Sequence, residues 1–273
     1  MIVFSTIVML VILIPRIGAW ALRSSHQQHL PIVHNTSQPD NWRPAPGTSW
    51  QWQLTGMIDT SFDVQMYDID LFDALQSTVD QLHTDGRVVI CYFSAGSWEE
   101  WRPDADLFPD SVKGNSLEDW PGEKWLDIRQ MEVLGPIMTA RLDLAVKKGC
   151  DGVEPDNVDG YTNDSGFPLT GQHQLAYNTW LAEQAHARWL SVGLKNDLDQ
   201  VEVLLPYFDW ALNEQCFQYN ECGTLLPFVH AGKAVFGVEY ELEPEAFCPQ
   251  ANAMDFDFLK KRWELDAWRV ACR

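Results

Sequence analysis

Positive charge is scarce in this chain. Lys and Arg total 19 against 39 Asp and Glu in 273 residues, for a formal net charge of −20. Coating DNA or an anionic membrane takes clustered cations, so nucleic acid is excluded as a partner. Nucleophile motifs built on Ser, Cys or His are also missing. His26, His29 and His34 precede the main apolar pattern, while His83, His173, His186 and His230 fall on helices or in loops, where packing or solvated roles are expected. No GxGxxG follows a strand-like run, which leaves dinucleotide chemistry without support. No CxxC pair or Cys/His cluster has zinc spacing. The apolar run at residues 2–14, IVFSTIVMLVILI, is shorter than the roughly 20 residues a membrane-spanning helix needs. Disorder is excluded by what is abundant: 46% of the chain is hydrophobic, with 13 Trp, 13 Phe and 7 Tyr. A folded acidic domain remains, and its acid excess reads either as solubility or as a match to a cationic partner.

That apolar run has the length of a signal-peptide core, and the small-residue pattern Ala19-Trp20-Ala21 follows it, so residues 1–21 are expected to be a signal peptide cleaved after Ala21. An uncleaved anchor is the alternative, because the n-region carries no Lys or Arg. Six cysteines, Cys91, Cys150, Cys216, Cys222, Cys248 and Cys272, fit an exported, disulfide-bonded chain. Cys216 with Cys222 and Cys248 with Cys272 are plausible staples, whereas Cys91 and Cys150 read equally as buried free thiols. Sequons begin at Asn35 and Asn163. The expected location is secreted, either extracellular or associated with the cell wall. Residues 22–47, polar and punctuated by prolines, read as a linker or an N-terminal wrap, and residues 48–273 as one domain.

Within that domain, strand-type runs alternate with helical periodicities. The runs are SWQWQLTG (49–56), DVQMYDID (63–70), RVVICYFSAG (87–96), KWLDIR (124–129), GCDGVEPDN (149–157), SVGLKND (191–197), FDWALNE (208–214) and AVFGVEY (234–240). Helical spacing appears at Leu71–Leu82, at Leu134–Ala145 and from Gln172 to Leu190. Eight strands with helices between them predict an α/β fold, a single (β/α)8 TIM barrel, with an open doubly wound sheet as the alternative.

Catalytic groups of such a barrel come from the C-terminal ends of its strands. Reading those ends gives Asp68, Asp70, Tyr92, Asp127, Arg129, Glu154, Asp156, Asn157, Asp159, Lys195, Asn196, Asn213, Glu214 and Tyr240. With Asp197, Glu239 and Glu241, ten acids gather at or beyond one rim. Paired carboxylates without a histidine base are what glycoside hydrolysis uses, one protonating the departing oxygen while the other attacks the anomeric carbon or activates water. Asp156 and Glu214 fit best, each beside an amide (Asn157 and Asn213) able to orient a sugar hydroxyl. The long segment from Gly96 to Glu123 carries Trp98, Trp101 and Trp120, with Trp125 just beyond, and reads as a lid whose rings stack on sugars. Glu154, Asp156 and Asp159 are also oxygen donors that a divalent cation would accept, but no metal and no cofactor are expected.

The segments SWQWQLTG, VQMYDID, VICYFSAGSWEEWRPD, WPGEKWLDIR, GCDGVEPDNVDGY, GLKND and NEQC resemble successive strand motifs of glycoside hydrolase family 114, the endo-α-1,4-polygalactosaminidases. The resemblance spans residues 48–240 and implies a TIM barrel, export and cleavage of α-1,4-linked galactosamine polymers. It places the catalytic pair at Asp156, as nucleophile, and Glu214, as acid/base, with the exchanged roles open. A retaining outcome is expected. The partner it implies is a cationic galactosamine-containing polysaccharide, with no membrane partner once the signal is cleaved, handled by a monomer. Asp68, Asp70, Asp127, Glu154 and Asp159 are the expected partners of the substrate amines, while Arg129 and Lys195 hold the catalytic carboxylates ionised or bind hydroxyls. A non-catalytic carbohydrate-binding barrel and a hydrolase of another α-linked glycan remain as alternatives.

Overall fold

A computed structural model describes residues 42–273. The expected signal peptide, the first sequon and the linker up to residue 41 lie outside the described residues. Eight parallel strands follow one another around a curled sheet: Trp50–Gln53, Met66–Asp70, Val88–Ser94, Gly152–Asp156, Ser191–Lys195, Trp210–Glu214, Val235–Glu239 and Asp257–Lys260. Each pairs in parallel with the next, and the short strand Val270–Ala271 adds antiparallel to the eighth. The Trp50 indole donates to the Asp257 carbonyl at 2.9 Å and the Gly47 amide to the Asp257 carboxylate at 3.0 Å, joining the first strand to the last. This is the (β/α)8 arrangement that the alternation of elements implies.

Seven of the eight strands are those read from the sequence, and one expectation is corrected. KWLDIR does not enter the barrel. Glu123–Leu126 pairs antiparallel with Ser97–Glu99 and Lys113–Ser116 in a separate three-stranded sheet. The Gly96–Glu123 segment is therefore a folded insertion rather than a bare loop. The eighth barrel strand is Asp257–Lys260, four residues that are all buried and so carry no polar-apolar alternation to announce them. The helices Gln76–Thr84, Met131–Lys148 and Gly171–His186 sit where the periodicity places them. His173 closes a capping box with Thr170 at the start of the third, and Gly149, with φ 87°, ends the second in the left-handed conformation. His83 and His186 pair with Asp151 and Asp209 on the outside of the sheet, far from any acid-base role.

Residues 42–47 lie against the barrel. Pro44 accepts a hydrogen bond from the Ala234 amide, and Arg43 pairs with Asp209 at 2.9 Å. All six cysteines are joined, as Cys91–Cys150, Cys216–Cys222 and Cys248–Cys272.

Strand period two sends alternate residues into the barrel. The lower layers are apolar: Trp50, Met66, Ile90, Trp210, Phe236 and Leu259 are all buried, with Trp50 against Phe236 at 4.8 Å and Trp210 edge-on to it at 5.6 Å. Higher on the strands the inward positions turn polar, at Asp68, Glu154, Asp156, Lys195 and Glu214. Gly193 makes room for the rings, since a Cβ there would come within 2.4 Å of the Trp210 indole. Gly193→Ala is accordingly expected to destabilise the protein by about 1–3 kcal/mol through overpacking directly beneath Lys195, read as a lowered denaturation midpoint at unchanged slope. A wild-type midpoint would show that the Trp210 layer yields freely.

Candidate active site

The C-terminal ends of the strands open into a cleft of about 820 Å³. Lys195, 1% exposed at the end of the fifth strand, is its floor. Its Nζ lies 3.1 Å from Glu154 Oε1, 3.0 Å from Asp156 Oδ1 and 3.2 Å from Glu214 Oε2. Trp52 faces the ammonium at 4.9 Å and donates its indole N–H to Glu154 Oε2 at 3.0 Å. Burial disfavours the lysine charge, but the carboxylates of Asp156, Glu214 and Glu154 outweigh it and hold Lys195 well above the usual lysine range.

Of the three carboxylates, Asp156 and Glu214 reach the cleft and Glu154 is wholly buried. Tyr92 donates its hydroxyl to Asp156 Oδ2 at 3.1 Å, and Tyr240 donates to Glu214 Oε1 at 2.5 Å. Burial, reinforced by Asp156 for Tyr92 and by Glu214 for Tyr240, pushes both phenols well above their ordinary range, so they act only as donors there. Asn196 donates to Glu214 Oε2 at 3.3 Å and accepts from the Glu214 amide at 3.0 Å and from Asn213 at 3.2 Å. Immediately after the strands that bear Asp156, Lys195 and Glu214, the backbone turns left-handed at Asn157 (φ 60°), Asn196 (φ 50°), Asp197 (φ 43°) and Gln215 (φ 65°). Non-glycine residues adopt that region sparingly, and such turns gather at functional sites.

Other expected site residues have different places. Asp68 is fully buried below the cleft, where burial and then Glu154 raise its carboxyl well above the ordinary range. Asp70 lies at the cleft edge but is held by Arg102, with Nη2 at 2.7 Å. Asp127 and Arg129, assigned to the rim through KWLDIR, are corrected along with that strand. They follow the insertion sheet, pair with each other at 2.6 Å and do not line the cleft. Glu239 points out of the barrel and accepts from the Phe217 amide, and Asp197 is buried on Asn178. Asp159 does line the cleft, with its carboxyl raised by burial to about 6. As for a divalent cation among Glu154, Asp156 and Asp159, Lys195 already supplies the positive charge that the first two share.

The acid excess at the cleft is real but drawn largely from other residues. Ten carboxylate side chains line it against two cations, Arg102 and Lys195. Asp73, Glu99, Glu118, Glu123, Asp164 and Glu264 are the ones absent from the strand-end reading. Most sit on the insertion or in loops, where the available signal was the short runs SWE and EKW, each carrying a glutamate beside a tryptophan. Trp101 and Trp120 stand half exposed in the cleft, Trp125 lines it, and Trp98 packs away beneath Lys113. Asn163, of the second sequon, lies at the cleft edge with its amide on the Asp159 carbonyl.

A carboxylate pair above one buried ammonium, at the C-terminal mouth of a (β/α)8 barrel and without a nucleophilic Ser, Cys or His, defines a glycoside hydrolase. The chain belongs to glycoside-hydrolase family GH114, whose model matches residues 33–273. Among solved structures it is similar to Aspergillus fumigatus Ega3, crystallised with galactosamine, at 47% identity over 85% of this chain and 97% of that one, with a TM-score of 0.81. The glycoside hydrolase domain of PelA from Pseudomonas aeruginosa shares the fold at 13% identity over 84% of this chain and 99% of that one, with a TM-score of 0.67. Eubacterium rectale Amy13B shares it more distantly, at 12% identity, 81% and 65% coverage and a TM-score of 0.53. No curated protein matches.

Two outcomes follow from the buried charges. Lys195→Met removes the cation that three converging carboxylates share and is expected to lower stability by about 3–5 kcal/mol in denaturant titrations; a loss below about 1 kcal/mol would mean the ammonium is not what holds the layer. The second outcome is a pH dependence. Burial raises Glu154 and Glu123 to about 7 from 4.5, and Asp159 to about 6 and Asp197 to about 8 from 3.8. Between the unfolded and folded values the native chain keeps protons that the unfolded chain has released, so stability falls as pH rises through that window. The melting temperature should therefore drop from pH 5 to pH 8, and a steady rise over that range would contradict the assignment.

Proposed function

We propose that the protein is a secreted, endo-acting glycoside hydrolase that cleaves α-1,4-linked galactosamine polymers with retention of anomeric configuration. The observation that carries this reading is the sharing of one buried ammonium by Asp156 and Glu214 on the floor of a cleft lined by acids. Similarity to Ega3, whose crystal structure holds galactosamine, supports the sugar class. A polymer of unacetylated galactosamine is cationic at neutral pH, and the cleft's excess of carboxylates attracts it and orients its amines. Export is supported by the signal-type run of residues 1–21 and by three disulfides, which persist in oxidising compartments. Among the described residues no helix is long and apolar enough to cross a membrane.

In the proposed mechanism Asp156 attacks the anomeric carbon while Glu214 delivers a proton to the departing glycosidic oxygen. The C–O bond to the leaving sugar breaks and an ester bond to Asp156 forms. Water then attacks the same carbon, Glu214 takes a proton from it, and Asp156 is released. The closeness of the two inner oxygens supports retention. Oxygens held at 3.0 and 3.2 Å from a common Nζ lie no further apart than the sum of those distances, short of the roughly 6.5 Å at which inverting pairs begin. Tyr92 and Tyr240 steady the two carboxylates, and Lys195 keeps their inner oxygens aimed at one point.

Asp156→Asn and Glu214→Gln should each reduce oligosaccharide release from de-N-acetylated galactosaminan by roughly 10²–10⁴-fold while the protein melts near the wild-type temperature. Products read by mass spectrometry and proton NMR should be internal-cleavage oligosaccharides with retained configuration. Wild-type turnover in either variant would sink the residue roles. Binding without cleavage by the wild type would make the barrel a lectin, and cleavage of a different α-linked glycan would move the substrate class.

A further inference from the structure

Beside the catalytic pair, the insertion sheet sets two glutamates face to face. Glu99 and Glu123 are direct partners in the antiparallel ladder, are 2% and 6% exposed, and both line the cleft. Like charges directly opposite each other on neighbouring strands destabilise a sheet, and more so out of water. Arg102 relieves only part of this: it bonds Glu99 Oε1 at 2.6 Å but also serves Asp70. Glu99 Oε2 is buried with no hydrogen-bond partner. Glu123 Oε2 accepts the Ser97 hydroxyl at 2.7 Å, and no basic side chain bonds it among the described residues.

The pair is also tied to the reacting centre. Asn157, next to Asp156, donates to Ser94 Oγ at 2.9 Å and Ser97 Oγ at 3.2 Å, and those two hydroxyls are 2.6 Å apart. Ser94 Oγ accepts from the Ser97 amide as well, so its own proton goes to Ser97, whose proton goes to Glu123. The chain Asp156-Asn157-Ser97-Glu123 therefore fixes how far the second carboxylate pair stands from the first.

We propose that Glu99 and Glu123 form a subsite for the ammonium group of one amino-sugar unit, which obliges the polymer to carry a free amine at that position relative to the scissile bond. This rests on the galactosaminidase reading and names which amine the cleft reads. An ammonium brings three N–H donors and one positive charge, enough for Glu99 Oε2 and the free face of Glu123 together. An acetamide is neutral, has one N–H and adds an acyl group, so it leaves both buried acceptors unmatched. Burial, with Glu99 and Asp156 adding to it, pushes the ligand-free Glu123 carboxyl up to about 7 against the Ser97 hydrogen bond, a strain that a bound cation relieves. Trp101 and Trp120, on the same insertion, offer ring faces for neighbouring units.

The test uses the full chain in three arms. Wild-type digestion of de-N-acetylated galactosaminan examines the galactosaminidase reading alone. Calorimetric titration of Asp156→Asn with an α-1,4-galactosamine tetramer and with its fully N-acetylated counterpart is then compared with the same titrations of Asp156→Asn/Glu123→Gln. Glu123→Gln should weaken binding of the amine tetramer at least tenfold, leave the acetylated tetramer unchanged, and raise the melting temperature of the ligand-free protein by removing the facing charge. Glu99→Gln, which keeps an oxygen toward Arg102, should show the same selective loss. Equal loss for both tetramers, no loss for either, or calcium chloride binding abolished by Glu123→Gln with tetramer affinity unchanged would each overturn the subsite. Failure of digestion, by contrast, counts against the wider reading.

Discussion

Everything at the mouth of this barrel depends on the Lys195 ammonium being buried among carboxylates. A charge taken out of water is costly unless it is paired and hydrogen-bonded, and Lys195 meets that demand with three oxygens from the two strands flanking its own plus the face of Trp52. The converse holds for its partners. Glu154 and Asp156, two residues apart on one strand, and Glu214, on the far side of the Lys195 strand, would repel one another in so dry a layer, and the shared cation lets them converge. Asp68, below them, has no hydrogen bond or ion pair to Lys195, and burial, with Glu154 adding to it, raises its carboxyl well above the ordinary range.

The layers divide the labour vertically. Rings of Trp50, Trp210 and Phe236 fill the lower barrel and set a rigid floor. Above it the inward positions turn polar toward the strand ends, so Glu154, Asp156, Lys195 and Glu214 stand on that packed floor. The insertion then adds a second polar wall that the strands cannot reach. Its glutamates approach the cleft from the side, linked to Asp156 through Asn157 and two serines. The carboxylates that share Lys195 are thus seated on strand ends, while Glu99 and Glu123 come from the insertion.

How much of this was legible follows from how local each signal is. Asp156, Lys195 and Glu214 end strands whose apolar runs are unmistakable, so the strand-end rule finds them directly. KWLDIR has the same local appearance, yet it pairs within the insertion, and Asp127 and Arg129 leave the rim with it, bonded to each other. Local pattern specifies that a segment is extended and says nothing about its neighbour. Asp257–Lys260 is the mirror case, a barrel strand too short and too uniformly buried to show a period. Glu99 and Glu123 lie 24 positions apart by their numbers and meet only through antiparallel register.

The sequence by itself determined the acid excess, the alternation of strands and helices, the family motifs and the two residues best suited to glycosidic chemistry, because each is written in composition or in short-range spacing. Only the tertiary structure decided which acids face the cleft and which are paired with a cation. Whether a carboxylate is free depends on the partner that reaches it: Arg102 on Asp70, Arg129 on Asp127, Lys195 on Glu154 and, among the described residues, no basic side chain on Glu123. Arg129 sits two residues from Asp127, but Arg102 and Lys195 reach their partners from other segments of the chain, and a Coulomb interaction is set by distance in space, which register and chain crossing fix and linear order does not.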